Sequence, residues 1–153
     1  MKLRTSVLTL VMLFLGLTMC FAASPHLGTW KLNEAKSKLS PGLPKNHTVK
    51  YEAVGDNIKA TVDGVDGQGK PTHSDWTGKF DGKDYPVTGD PMSDMRSYKI
   101  VDDRTLELTV KKDGKTTITG KIVTSSDGKT RTVTASGMSE GKKVTITAVY
   151  DKQ

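Results

Sequence analysis

From Val49 to Tyr150 the chain repeats one pattern, a short run of alternating apolar and polar residues followed by a turn rich in Asp and Gly. Val49, Tyr51 and Ala53 share one parity, and so do Ile58, Ala60 and Val62 in the next run. Trp76, Gly78 and Phe80 follow, then Tyr98 with Ile100, then Leu106, Leu108 and Val110. Ile118, Gly120 and Ile122, Val133 and Ala135, and finally Val144, Ile146, Ala148 and Tyr150 complete the series. Period two with Thr, Lys, Ser or Glu on the opposite parity is the signature of antiparallel strands with one face in water. Gly55-Asp56-Asn57, Asp63-Gly64 with Asp66-Gly67, Asp81-Gly82, Asp102-Asp103, Asp113-Gly114, Asp127-Gly128 and Glu140-Gly141 read as the turns. Asp-Gly tolerates the positive φ that tight hairpins require. Strands joined by hairpins make a meander, and a meander of about eight to ten strands protects its edges best by closing. The expected fold is therefore all-β, a single antiparallel meander barrel.

Two segments interrupt the alternation. Asn33 to Asn46 carries Pro41 and Pro44 around Gly42, which leaves room for one helical turn at Glu34 to Leu39 before strand resumes at Thr48. This short Pro-containing segment after the first strand is expected to cross one mouth of the barrel. Thr88 to Asp94, with Gly89-Asp90-Pro91, reads as a loop.

The first 23 residues are set apart. Lys2 and Arg4 precede an apolar run from Val7 to Leu17, and Ala22 and Ala23 follow, the order of a cleavable export signal. The run is too short to span a bilayer comfortably. Cleavage after Ala22 or Ala23 would discard Cys20, the sole cysteine. Lipoprotein processing would keep it, but Leu17-Thr18-Met19 fits the preceding motif poorly. The expectation is a signal peptide over residues 1–23 and one domain over 24–153, periplasmic or extracellular, not transmembrane, monomeric and without disulfides. The chain's apolar share is 35% and falls further without the leader, which suits a small barrel better than a sandwich or helical bundle.

Charge excludes little but argues against one class. The formal charge is +6, and loss of Lys2 and Arg4 lowers it to +4. The lysines are spread over nearly every strand and turn, without the basic stripe and interleaved aromatics of a nucleic-acid surface. Loose attraction to anionic envelope surfaces is the more plausible consequence. His26, His47 and His73 lack metal-ligand spacing, and no cofactor is expected. His73-Ser74-Asp75 resembles a triad only on paper, because neighbouring strand residues face opposite sides. No catalytic constellation is present, so no enzyme is expected.

Gly28-x-Trp30 at the start of the first strand resembles the lipocalin signature, in which the tryptophan packs across the closed end. Gly28-Thr29-Trp30-Lys31-Leu32 together with terminal Val149-Tyr150-Asp151-Lys152 also resembles the two ends of intracellular fatty-acid-binding proteins. Gly28 to Gly42 is similar to a group of small exported bacterial proteins of lipocalin-like, calycin type without an assigned function. The departures matter. Where fatty-acid-binding proteins place the arginine of a carboxylate clamp, this chain has Ala148, with Tyr150 retained. The resemblance to lipocalins implies a basic side chain near the tryptophan. Arg96 and Arg131 share parity with apolar residues, but their strand-end positions and the cost of burying charge put them at the rim.

Two functions follow from this reading. Either the interior holds a small apolar or amphipathic ligand, lined by Trp30, Tyr51, Trp76, Phe80, Tyr98 and Tyr150 and held mainly by apolar contact, or the interior is filled and the exterior serves as an envelope-associated interaction or inhibitor surface. An enclosed volume of at least about 300 Å³ separates the two.

Overall fold

A computed structural model describes residues 24–139 and 141–153. The expected leader, with Cys20, lies outside the described residues, as does Glu140 of the last expected turn. Ten strands form one closed antiparallel barrel in meander order: β1 (Gly28–Leu32), β2 (Lys45–Val54), β3 (Asn57–Val65), β4 (Pro71–Gly78), β5 (Tyr85–Thr88), β6 (Met95–Asp102), β7 (Thr105–Lys112), β8 (Lys115–Thr124), β9 (Thr130–Ser139) and β10 (Lys142–Lys152). β1 closes the ring by pairing on both sides, with Trp30 opposite Val49 of β2 and Lys152 of β10. None of the described residues forms a helix long and apolar enough to cross a membrane.

The alternation holds through most of the wall, although Ala53, Ile100 and Ile118, read on the apolar parity, are exposed. Trp30, Val49, Tyr51, Ala60, Val62, Trp76, Tyr98, Leu106, Ile122, Ala148 and Tyr150 all turn inward into one core cluster. Positive φ at Gly114 and Gly128 serves the turns after β7 and β8. Three local readings are corrected. Asp63 and Gly64 are paired strand residues of β3, and the turn falls beyond Val65. Gly64 is needed there because a Cβ would strike the backbone of Lys45 and Asn46, where β2 carries a register shift between Asn46 and Thr48. Strand β2 accordingly begins at Lys45 rather than Thr48. Phe80 lies past the end of β4, and an additional strand, β5, follows it.

β5 is the thin part of the wall. It aligns two residues with β4 and two with β6, whereas β9 and β10 pair along nearly their whole length. Aromatic packing compensates inside this region. Trp76 lies edge-on to Tyr98 at 4.8 Å and to Tyr85 at 5.8 Å between ring centroids, and stacks on Phe80 at 6.3 Å. The indole Nε1 donates to the Arg96 carbonyl at 2.9 Å, which ties β4 to β6 across the short strand.

The segment between β1 and β2 makes one 3-10 turn, Glu34–Lys36, capped by the Asn33 side chain. Lys38 then bridges to Thr147 of β10. The Ser37 hydroxyl accepts from the Val149 backbone N–H at 2.9 Å. Thus anchored, the rest of the segment brings Leu39, Leu43 and Pro44 over one end of the barrel.

Candidate ligand cavity

The two ends of the barrel differ. At the end where the chain enters, Trp30 is fully buried and donates from Nε1 to the His26 carbonyl at 3.0 Å. His26 is buried with it and lies 3.2 Å from the Thr124 hydroxyl through Nδ1. Burial, reinforced by the positive charge of Arg131, holds the His26 imidazole neutral and lowers its pKa to about 4. Leu106 and Thr124 complete this floor without measurable exposure.

Above the floor lies a cavity of about 350 Å³, open at the opposite end. Its wall is mostly apolar: Val49, Val62, Leu108, Val110, Ile122, Val133, Ile146 and Ala148. Leu39, Leu43, Pro44 and Met92 fringe the mouth along with Met138 of β9. Met92 and Met138 are 65% and 66% exposed. The space exists because inward positions toward the mouth are small. Ala135 and Ala148 are buried wall residues, and Gly137 takes the next inward place on β9 after Ala135.

The six aromatic residues expected to line a ligand site divide into two sets. Tyr51, Tyr98 and Tyr150 stand on the cavity wall. Trp30, Trp76 and Phe80 pack in the core behind it, Trp30 in the floor and the other two in the aromatic cluster under β5.

The arginines are where sequence reasoning fails. Both were expected at the rim, and both are inside. Arg131 is 2% exposed, and its guanidinium carbon sits 5.1 Å from the Trp30 ring centroid, 5.0 Å from Tyr51 and 5.2 Å from Tyr150. Three ring faces at that distance make a cation–π cage that lowers the cost of taking the charge out of water. The Arg96 side chain is 11% exposed, with Nη2 3.3 Å from Asp90 Oδ2. Its Nη1 donates to the Tyr98 hydroxyl at a long 3.5 Å. Burial works against the Arg96 charge, but the oxygens of Tyr98, Tyr51 and Asp90 outweigh it and raise its pKa. Burial likewise pushes the Tyr51 and Tyr150 hydroxyls up, so both remain protonated donors. Tyr150 donates to the Asn46 carbonyl at 3.1 Å. The available signal was parity: Arg131 lies two residues before inward-facing Val133, and Arg96 two before Tyr98.

Outside the barrel, His73 bonds two carboxylates, Asp63 at 2.6 Å and Asp75 at 3.1 Å, which raises its pKa. Ser74 between them points inward and is buried. Among the described residues, no group of three His, Cys, Asp or Glu is placed to hold a metal ion. No protein-family model matches this chain, and no curated protein matches it.

Proposed function

We propose that this protein is an exported lipocalin-like barrel that binds a small apolar or amphipathic molecule in its interior. The observation that carries the reading is the cavity: about 350 Å³, apolar-walled and open at one end, within the range of small-molecule sites. A barrel that worked only through its exterior would gain stability from larger side chains at Ala135 and Ala148, which border the open space. The export signal read in residues 1–23 supports a periplasmic or extracellular place of action. The Gly28-x-Trp30 signature, with Arg131 stacked on its indole, supports the lipocalin-like assignment.

A neutral apolar fluorophore, N-phenyl-1-naphthylamine, tests the reading. Titration should give saturable, blue-shifted emission with one site per chain. Ala148→Phe, which projects a ring into the cavity, should weaken binding at least about tenfold while the protein stays folded. Absence of saturable binding to the natural protein would remove the interior-ligand reading and leave the exterior one. Mass spectrometry of the protein isolated from its native envelope would identify any bound molecule. The same spectrum reports a chain beginning after Ala22 or Ala23, or an acyl group on Cys20.

A further inference from the structure

We propose that the ligand is a single-chain amphiphile with one anionic head group, bound head-down against Arg131, with Arg96 as the second cation and the tail running toward the mouth. This rests on the interior-cavity reading above and specifies the ligand class.

The first observation is an unanswered charge. Nε and Nη1 of Arg131 are both buried and neither has a hydrogen-bond partner. Among the described residues Arg131 forms no ion pair, although eight other such contacts occur. A guanidinium keeps its charge in a folded protein and presents its N–H groups in the plane of the group. Ring faces satisfy the charge in part but accept hydrogen bonds poorly, so in-plane donors remain unmet. Buried polar groups without partners are uncommon and costly.

The second observation is where that group faces. Arg131 lines the cavity and Trp30 does not, so the indole lies on the floor side of the guanidinium, and a head group would reach Nε and Nη1 by a small shift of the side chain toward the cavity. Arg96 lines the same cavity, and its Nε is also buried without a partner. Two guanidiniums share this interior with one carboxylate in contact, Asp90. The other charged groups on the cavity boundary sit at the mouth and are engaged there. Lys45 pairs with Glu34 at 2.8 Å, His73 is held between Asp63 and Asp75, and Asp66 accepts from the backbone N–H groups of Gln68 and Lys70. One positive charge is therefore left over deep in the barrel.

The third observation is the wall between Arg131 and the mouth. Leu108, Val110, Val133 and Ile146 offer an acyl chain only apolar contact. A cation at the bottom, apolar walls above and exposed Met92 and Met138 at the opening describe an amphiphile by its parts. The volume suits one chain rather than two. Carboxylate and phosphate monoester heads share the required chemistry, oxygen acceptors that can meet guanidinium N–H donors.

Calorimetry with dodecanoate, dodecyl phosphate, methyl dodecanoate and inorganic phosphate tests the proposal. One or both acidic amphiphiles should bind at least about tenfold tighter than the ester, as expected when a buried charge-assisted hydrogen bond is gained. Which acid binds better identifies the head group. Equal affinity for acids and ester overturns the proposal while leaving the interior-cavity reading intact. Failure of both acids, the ester and the neutral fluorophore alike overturns both. Binding of inorganic phosphate as tightly as dodecyl phosphate would remove the tail from the recognition and overturn the amphiphile assignment.

Arg131→Met keeps the stem and most of the volume, and should bring the acid-to-ester ratio close to one with ester affinity little changed. A merely structural arginine would leave that ratio as it was. An independent readout needs no variant. Carboxyl-labelled [13C]dodecanoate bound to the natural protein should remain ionised at pH 5, because a cation in contact favours the carboxylate, whereas a carboxyl buried without one would be protonated there. A protonated signal at pH 5 overturns the proposal even if Arg131→Met does not fold.

Discussion

The floor and the mouth of this barrel are built from the same ten strands and end in opposite results. At the floor Trp30 and Leu106 close around His26 and Thr124, and Tyr51, Ile122, Tyr150 and the Arg131 guanidinium pack over them at the boundary with the cavity. Toward the mouth the same strands offer Ala135, Gly137, Val144 and Ile146, and about 350 Å³ remains empty of protein. Hydrogen bonding hardly distinguishes the two halves, since β8, β9 and β10 are paired through both. The difference lies in side-chain volume alone. Sheet pairing gives the barrel its shape, the packed half most of its stability, and the hollow half the room in which a ligand is proposed to sit. Substitutions at the two ends should therefore separate stability from binding.

The largest effect should come from the floor. Trp30→Ala removes a fully buried indole and its hydrogen bond to the His26 carbonyl, with no space for the strands to collapse into. It should cost about 3–5 kcal/mol in urea unfolding. A loss under about 1 kcal/mol would mean that the floor is not the stabilising half.

The next effect is electrical and also lives at the floor. The pKa of folded His26 lies near 4, below its ordinary value of 6.5, so the folded state binds fewer protons than the unfolded state between those limits. Stability from keeping this imidazole neutral is whole above pH 6.5 and erodes as pH falls toward 4. Between pH 7 and 5 the loss should be about 1–2 kcal/mol. His26→Gln should flatten that slope. His73 has the opposite sign, since its pKa is raised and its pairing with Asp63 and Asp75 strengthens on protonation. It is exposed, so His73→Gln should leave the acid-side loss in place. The carboxylates with lowered pKa values, such as Asp66 and Asp75, lose their contribution only at more acidic pH, below this window. An unchanged slope in His26→Gln would break the assignment.

A third substitution probes the aromatic wall beside the floor. A Cβ on Gly78 would stand 2.6 Å from Tyr85 Cδ2 and 2.7 Å from Trp76 Cζ2, closer than packed carbons approach. Gly78→Ala should cost about 1–3 kcal/mol by overpacking, read as a lower urea midpoint. No loss would mean that the short strand β5 moves freely enough to absorb the methyl group.

Most of the fold was legible because period two and Asp-Gly turns are local signals, each carried by a few adjacent residues. Where they misled, a non-local contact had decided. Asp63-Gly64 has the chemistry of a turn but serves as strand, paired with Thr48 and Asn46 of β2, and Gly64 is there because the Lys45 carbonyl leaves no room for a Cβ. Tyr85-Pro86-Val87-Thr88 is too short, and too much a proline segment, to announce β5; the pairing residues on β4 and β6 make it a strand. The wall of the cavity was legible in part. Tyr51, Tyr98 and Tyr150 reach the cavity, but nothing local distinguishes them from Trp76 or Phe80, which share the apolar parity and pack behind the wall. The buried arginines show the limit most plainly. Parity pointed inward, the cost of burying charge pointed outward, and the parity was right because Trp30, Tyr51 and Tyr150, from three different strands, assemble a cage around Arg131 that no stretch of sequence reveals.

The smallest effect on stability should come from the mouth, and it sharpens the comparison most. Met92 and Met138 border the cavity opening, and each exposes about two-thirds of its surface. Replacing both with serine removes little buried area, so stability should change by no more than about 0.5 kcal/mol. A ligand that enters there loses two flexible apolar contacts where its tail leaves the barrel. Affinity for the neutral fluorophore should therefore fall by about three- to tenfold, an amount set by a few buried methylene equivalents, while the urea midpoint stays put. The proposed acid-to-ester preference, ascribed to Arg131 far below, should survive unchanged. If the double variant lost stability instead, the mouth would be part of the structural core. If it lost the preference for the acid, the head group would sit at the rim, and the separation of a packed, charged floor from an apolar mouth would fail.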